Sequence, residues 1–184
     1  MKEANGQIVQ LLPRDALDMM RLRHAALREV PTAFGTDPDW ELSKSEAHYQ
    51  RFLMRTAACR RECLLGIKQG NTLVGMSGLG ARCRENRSFG LIYSMFILPE
   101  ARGKGLGSRL LCHSCRVAAE AWSLPACRIT VEIHNHAARR LYERQGFRPL
   151  FRENAAFTLQ GIDYDVDHLE IILSPSGHRR RVAE

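Results

Sequence analysis

The residues best suited to chemistry form a glycine-rich turn between an apolar stretch and a helical pattern. The turn consists of Arg102, Gly103, Lys104, Gly105, Leu106, Gly107 and Ser108. Its alternating glycines let the backbone bend and approach a ligand closely, because they lack a Cβ atom. The following helix would add unpaired N–H groups and the positive end of its dipole, and the two cationic side chains would add mobile positive charge. We therefore predict that the turn binds phosphate groups.

Two common phosphate-binding loops do not match this turn. A Walker A loop needs two glycines that bracket four residues, followed by Lys-Ser or Lys-Thr, whereas Lys104 lies between glycines. The dinucleotide-binding fingerprint needs a third glycine at the position of Ser108, and an early parallel βαβ unit before it. Both are excluded. A glycine-rich turn with solubilising charges remains an alternative when the turn is considered alone.

A second group of residues lies further along the chain, on a predicted helix that begins at Asn135. Asn135 would cap this helix, and its side-chain amide could also meet an amide of a bound ligand. One face of the helix carries Ala138, Leu141, Tyr142 and Gln145. Tyr142 should therefore point towards the sheet, either as a core tyrosine or as a group that acts on a ligand.

Together, the two motifs resemble those of the GNAT acetyltransferase superfamily. They are Arg102-x-x-Gly105-x-Gly107, after a strand that ends at Pro99, and Asn135-x-x-Ala138-x-x-Leu141-Tyr142-x-x-x-Gly146-Phe147. Their order and separation match the family, and the resemblance covers about Leu73–Phe151. It implies an acetyl-CoA-dependent N-acetyltransferase, with acetyl-CoA as co-substrate.

The resemblance also implies how the cofactor is held. In the family the two central strands splay apart, and coenzyme A inserts between them. Its pantetheine amides pair with the strand that corresponds here to Met95–Leu98, and its diphosphate rests on the glycine-rich turn. The implied cofactor-binding residues outside the turn are Phe96, Ile97, Leu98, Asn135 and Tyr142.

In the mechanism implied by the resemblance, the amine attacks the thioester carbonyl directly, in a ternary complex and without a cysteine nucleophile. A backbone N–H of the central strand stabilises the oxyanion. Tyr142 protonates the leaving thiolate, as a positioned general acid.

The general base is where this chain departs from the family. Some members place a carboxylate five residues before the motif asparagine, and that position is Thr130 here. Glu132 lies two residues further on and, by strand alternation, on the same face, so it is the first candidate. Tyr93 and Ser94 could instead act through water, and Glu132 could be a solvated carboxylate at a strand end.

The acceptor site is expected between the first two helices, by the same resemblance. The acidic residues of that segment are Asp37, Asp39, Glu41 and Glu46. They could attract a cationic amine or simply form a solvated acidic helix start. Trp40 and Phe34 could supply an apolar wall. No pattern distinguishes an amino acid, a polyamine, a drug-like amine and a protein amine as acceptor.

The elements that must position these residues follow from hydrophobic periodicity. We predict strands at Gln7–Leu11, Glu62–Lys68, Thr72–Leu79, Phe89–Leu98, Arg128–Ile133 and Asp163–Leu173, and one that begins at Phe147. We predict helices from Pro13 to Pro31, at about Asp39–Ala58, at Gly105–Trp122 and from Asn135 to Gln145, and a polar loop at Ala81–Arg87. The expected fold is α/β (α+β), a single GNAT-like domain with a mixed, mostly antiparallel sheet of about seven strands, splayed in the middle and flanked by about four helices.

Composition sets the wider limits. The chain has 184 residues, 45% of them hydrophobic and 26% charged, which suits one soluble domain. We expect the acetyltransferase domain at residues 1–174 and a flexible basic tail at residues 175–184. With neither a secretory signal nor a long apolar stretch in the sequence, we expect a cytoplasmic protein without a membrane partner. The six cysteines are interpreted as reduced thiols and Cys112-His113-Ser114-Cys115 as helical, so no metal is expected.

Two other classes of function stay open. The formal charge of +7 suits a nucleic-acid-binding protein, and His134-Asn135-His136 contains the residue types of an HNH nuclease. Those types must spread over a metal site, however, whereas consecutive residues point in different directions, so nucleic acid is the weaker hypothesis. A non-catalytic acyl-CoA-binding sensor would keep the fold without the chemistry. Either a monomer or a homodimer is compatible with the sequence.

Overall fold

The computed structural model describes residues 6–173, and the predicted basic tail at 175–184 lies outside them. These residues form one seven-stranded sheet. Its strands are β1 Gln7–Gln10, β2 Glu62–Gln69, β3 Thr72–Arg84, β4 Arg87–Ile97, β5 Ala126–Glu132, β6 Arg148–Leu159 and β7 Ile162–Ile172. The spatial order is β1-β2-β3-β4-β5-β7-β6, and every neighbouring pair is antiparallel except β4 and β5. The predicted mixed, mostly antiparallel sheet is confirmed.

Within residues 6–173, five α-helices lie on the two faces of the sheet. They are α1 Ala16–Glu29, α2 Pro38–Leu42, α3 Glu46–Ala58, α4 Leu106–Arg116 and α5 His136–Arg144. The α1/α3 face buries Leu22, Ala26 and Leu53 with Leu64, Met76 and Phe96 of the sheet. The α4/α5 face buries Leu106, Leu110 and Tyr142 with Ile92, Ile129 and Val131. Because side chains alternate along a strand, Arg128, Thr130 and Glu132 of β5 belong to the α1/α3 face.

The predicted polar loop at Ala81–Arg87 is wrong. Strands β3 and β4 continue through it and turn only at Glu85 and Asn86, whose φ angles are 52° and 60°. Such a two-residue turn with positive φ matches the twist of a hairpin. The segment is polar because the hairpin extends beyond β2, whose pairing with β3 begins at Gly80, so both of its faces meet solvent.

The predicted second helix, Asp39–Ala58, is interrupted. Helix α2 ends at Leu42 and α3 starts at Glu46, with Ser43, Lys44 and Ser45 between them. The serines favour this break because their hydroxyls compete for backbone groups, and the Ser43 hydroxyl donates to Trp40 O at 2.7 Å. Further along, α4 ends in a π-helical turn, Val117–Ala121, within the predicted Gly105–Trp122 helix.

Candidate active site

A cleft opens where the two central strands part. Strands β4 and β5 pair in parallel only at Gly90–Ile92 with Cys127–Ile129. Beyond that point β4 runs on to Ile97 and β5 to Glu132, and no further pair joins them among residues 6–173. The backbone groups of the last part of β4 that face β5 therefore have no strand partner. This is the splay that the family resemblance implied, and its β4 wall contains Phe96, Ile97 and the following Leu98.

A bulge in β4 produces this divergence. The register with β3 changes from Gly78 opposite Tyr93 to Met76 opposite Phe96, so two residues of β4 face one residue of β3. Ser94 lies in the bulge with φ at 52°, a left-handed conformation that is costly for a residue with a Cβ atom. A bulge bends its strand and increases the local twist. The strain at Ser94 is thus stored at the mouth of the cleft, where β4 leaves β5.

The glycine-rich turn follows directly from the end of this wall. Gly103 and Gly105 both have φ at 74°, and a Cβ atom on either would meet nothing within 4 Å. Gly105 is the N-cap of α4, and Arg109 N is the first amide to bond back, to Gly105 O at 3.1 Å. The backbone N–H groups of residues 103–108 find no acceptor within the described range, 6–173. The turn therefore presents a set of free donors to open space, as an anion-binding nest does.

The two cationic side chains of the turn are engaged by the protein. Arg102 donates through Nε to Ile97 O at 3.0 Å and pairs with Glu29 Oε1 at 2.6 Å. Lys104 Nζ donates to Glu100 O at 2.9 Å. The expectation that these charges are mobile is therefore not met in this conformation. Arg102 instead ties the turn to the end of β4, and the backbone amides carry most of the capacity to bind an anion.

The two sequence motifs meet at Gly107. A Cβ atom there would lie 3.2 Å from Leu141 Cδ2, closer than such contacts normally are. The glycine thus allows α5 to pack against the first turn of α4, and both helices contribute to one apolar core. This contact brings the two motifs side by side.

Tyr142 lies on α5 within that core and is 6% exposed. Its ring centroid is 6.2 Å from that of Phe147, and its hydroxyl has no hydrogen-bond partner in the part of the chain that the structure describes. Burial raises the pKa of Tyr142 above its ordinary value. The phenol therefore keeps its proton at any physiological pH, and removal from water is the whole cause.

Asn135 caps α5 as predicted. Its Oδ1 accepts from Ala138 N at 3.1 Å, which leaves the amide Nδ2 outside the cap. The neighbouring rings of His134 and His136 lie 6.5 Å apart, edge to face. Within residues 6–173 no group of three or more His, Cys, Asp or Glu residues is arranged to hold a metal ion.

Of the candidate bases, Glu132 is buried at the end of β5, and one of its oxygens accepts from His134 N at 2.9 Å. Thr130 is exposed. The Tyr93 hydroxyl donates to Glu62 Oε1 at 2.9 Å, and burial together with the Glu62 charge raises the pKa of Tyr93. The other oxygen of Glu132 receives no hydrogen bond from a described residue, which suits a group that accepts a proton.

The acidic segment between α1 and α3 differs from the expectation. Asp37 Oδ1 accepts from Asp39 N at 2.9 Å and caps α2, while Trp40 is 61% exposed. Glu41 is buried, with Arg23 Nε 3.4 Å from its Oε1 and Lys44 Nζ 2.5 Å from its Oε2. Its charge is therefore matched by two cations and does not provide a free acidic surface for an amine.

Arg23, which the sequence analysis did not single out, shapes this side of the cleft. Arg23 lies on α1, is 7% exposed, and donates through Nη1 to Ser94 Oγ at 3.5 Å. Its guanidinium also lies 4.2 Å from the ring centroid of Phe34. An arginine among the apolar positions of an amphipathic helix was the signal, because such a residue needs a buried partner.

The chain matches one known protein family. Residues 21–147 match the family model described as the acetyltransferase (GNAT) family. No curated protein matches the chain. Among the residues described, no helix is long and apolar enough to cross a membrane.

The fold is similar to those of several solved structures. A GNAT-family acetyltransferase from Streptococcus pneumoniae is 21% identical, with a TM-score of 0.78 over 92% of this chain and 100% of that one. The putative acetyltransferase YncA from Salmonella typhimurium, solved with its cofactor acetyl-CoA, is 17% identical, with a TM-score of 0.78 over 92% and 95%. Spermidine N-acetyltransferase from Vibrio cholerae, in complex with CoA and spermine, is 19% identical, with a TM-score of 0.77 over 92% and 96%. At these identities the likeness concerns the fold.

Proposed function

The chain belongs to the GNAT acetyltransferase family, and from this premise we propose that it transfers an acetyl group from acetyl-CoA to a primary amine of a small molecule or protein. Relatives of the same fold were solved with acetyl-CoA, or with CoA and the polyamine spermine. The family assignment supports acyl transfer. That the acceptor of this chain is a primary amine is our proposal.

One observation carries the proposal: the end of β4 has an edge without a strand partner, and the start of α4 nearby has a separate set of free backbone amides. The unpaired edge of β4 ends at Ile97, and Arg102 Nε holds the turn against Ile97 O at 3.0 Å. A chain of amide groups along β4 and a diphosphate at α4 fit these two surfaces in sequence. A Cβ atom at Gly103 or Gly105 would project into the same open space, so the turn fits a bulky anion.

The residues that would hold the cofactor are the ones on this path. They are Phe96, Ile97 and Leu98 on the wall, Arg102, Gly103, Lys104, Gly105, Leu106, Gly107 and Ser108 in the turn, and Asn135 and Tyr142 on the α5 side. When bound, acetyl-CoA supplies the acetyl group as an activated thioester. The general base, the oxyanion donor and the general acid are proposed to be groups of the protein.

Glu132 is the proposed general base. Its carboxylate is held by His134 N at 2.9 Å through one oxygen, and the second oxygen takes a proton from the ammonium form of the acceptor. A backbone N–H at the bulged part of β4, near Ser94, meets the carbonyl oxygen as it gains negative charge. The bulge fixes the direction of that N–H group before the reaction begins, so no reorganisation is needed.

Tyr142 is the proposed general acid and gives its hydroxyl proton to the departing sulfur. The nitrogen releases its second proton to water as the amide forms, and water returns a proton to the phenolate. Burial raises the pKa of Tyr142, so the proton is present when the sulfur arrives. The same apolar surroundings raise the basicity of a thiolate, because a charged sulfur is also desolvated there. The same surroundings therefore raise both the pKa of the phenol that gives the proton and the pKa of the thiol that receives it, so the proton transfer stays feasible.

The experiment that tests the proposal combines binding with turnover. Acetyl-CoA should raise the thermal midpoint of the purified protein, and a panel of amines should contain acceptors that release CoA thiol, detected with a thiol reagent. Acetyl-CoA binding without turnover on any amine, amino acid or peptide would favour a sensor module instead. Salt-sensitive DNA binding without a response to acetyl-CoA would favour the nucleic-acid hypothesis.

A further inference from the structure

A buried guanidinium next to the β4 bulge is not fully satisfied by the protein. Arg23 makes two side-chain hydrogen bonds, 3.4 Å to Glu41 Oε1 and 3.5 Å to Ser94 Oγ. Both are longer than the usual range of about 2.7–3.2 Å. The other three of its five N–H donors have no acceptor among the described residues, and 9% of its side chain is exposed. Since the fully buried atoms without a partner in the described range are only His24 Nε2 and Thr36 Oγ1, the spare donors of Arg23 stay within reach of solvent and are available to a ligand.

The charges around Arg23 leave one positive charge unmatched. Glu41 is shared between Arg23 at 3.4 Å and Lys44 at 2.5 Å, so one carboxylate faces two cations. The Tyr49 hydroxyl donates to the same carboxylate at 3.3 Å and adds no charge. Burial, followed by the charges of neighbouring cations, lowers the pKa of His24, so that side chain is neutral near pH 7. The cluster therefore has the charge to hold one anionic group.

The cluster faces the reacting end of the cleft. Its contact with the sheet is Ser94, at the bulge where β4 leaves β5. The last paired residues are Ile92 and Ile129, so Ser94 and Met95 lie level with Val131 and Glu132 across the gap. Arg23 approaches from the α1/α3 face, whereas Tyr142 belongs to the α4/α5 core on the other face. An anion bound by Arg23 would therefore lie on the acceptor side.

We propose that the acceptor amine carries a carboxylate close to its amino group, and that Arg23 binds this carboxylate. The inference rests on the proposed acetyl transfer and names the class of acceptor: an amino acid or a similarly short amino-carboxylate. A guanidinium forms paired, charge-assisted hydrogen bonds with a carboxylate, and the Phe34 ring at 4.2 Å holds its plane in place. Glu132 across the cleft complements the ammonium end of the same molecule. A polyamine would instead bring positive charge against Arg23.

The test compares acceptors that differ only at the carboxylate. Free amino acids and their carboxamides are assayed as matched pairs, with a linear diamine as the cationic member. The wild-type protein should prefer the carboxylate form in kcat/KM, and the variant Arg23→Gln should lose that preference, by about 10²-fold on the carboxylate acceptors and little on the carboxamides. Arg23→Lys should retain part of it, because a lysine keeps the charge without the paired geometry.

A matched control and a binding readout separate the alternatives. Arg21→Gln changes an arginine on the same helix whose side chain is 68% exposed, and it should leave the preference unchanged. Calorimetric titration of the preferred amino acid into the CoA complex should show binding that Arg23→Gln weakens. Equal loss on both members of each pair would mean that Arg23 only supports the bulge, and would overturn the proposal. Wild-type preference for the carboxamides or the diamine would overturn it while acetyl transfer stands, and acetyl-CoA binding with no turnover on any amine would remove the acetyl transfer itself.

Discussion

The two sides of the cleft are built in different ways. The cofactor side consists of a backbone turn, a strand edge and a helix start, and its main side-chain condition is the absence of a Cβ atom at Gly103, Gly105 and Gly107. The acceptor side consists of side chains that meet from distant parts of the sequence, as Arg23 does with Ser94, 71 residues away. The difference indicates that the cofactor side can be predicted from a local sequence motif, whereas the acceptor side depends on the whole fold.

The strongest test of this contrast on the cofactor side is Tyr142→Phe. Turnover should fall by about 10²–10⁴-fold, as expected when a positioned general acid is removed. The folded state should keep its stability, because the hydroxyl makes no hydrogen bond with any residue in the range 6–173 and the ring stays in the core. The checks are steady-state thiol release and the thermal midpoint with and without acetyl-CoA. Unchanged turnover would remove Tyr142 from the acid role.

On the acceptor side, Glu41→Gln should act on stability. The change leaves Arg23 and Lys44 without their shared carboxylate, and the loss of one partner of a buried ion pair costs about 3 kcal/mol or more. The measurement is urea unfolding of the protein without ligands. Asp18→Asn is the control: its ion pair with Arg21 is exposed and 3.9 Å long, so it should change stability by less than about 1 kcal/mol. Equal effects of the two variants would show that the Glu41 cluster is not a buried network.

These expectations reflect how far the sequence could be interpreted. The turn at 102–108 and the cap at Asn135 were predictable because glycine spacing and capping are local rules. The seven-stranded sheet followed from apolar periodicity, while the extension of β3 and β4 to Arg84 and Arg87 was missed because an exposed hairpin is as polar as a loop. The bulge at Ser94 could not be predicted from the neighbouring residues, because it is a property of how β4 pairs with the distant strand β3.

The acidic segment is a second place where the sequence did not predict which residues meet. Asp37, Glu41 and their neighbours are a run of charge in the sequence, and charge alone suggested a surface for a cationic amine. In the structure Glu41 lies within 3.4 Å of Arg23, which is 18 residues earlier in the chain. No periodicity predicts that pairing, because it depends on how α2 packs against α1.

The measurement that tests the central claim most directly is calorimetric titration of acetyl-CoA into Gly105→Asp and Gly161→Asp. Both glycines have left-handed backbone angles, φ of 74° and 78°, with nothing within 4 Å of an added Cβ, so both variants place a side chain on a left-handed backbone in open space. Gly105→Asp should abolish binding by placing a carboxylate against the diphosphate, and Gly161→Asp should bind as the wild type does. Unimpaired binding by Gly105→Asp would contradict the assignment of this turn as the diphosphate site.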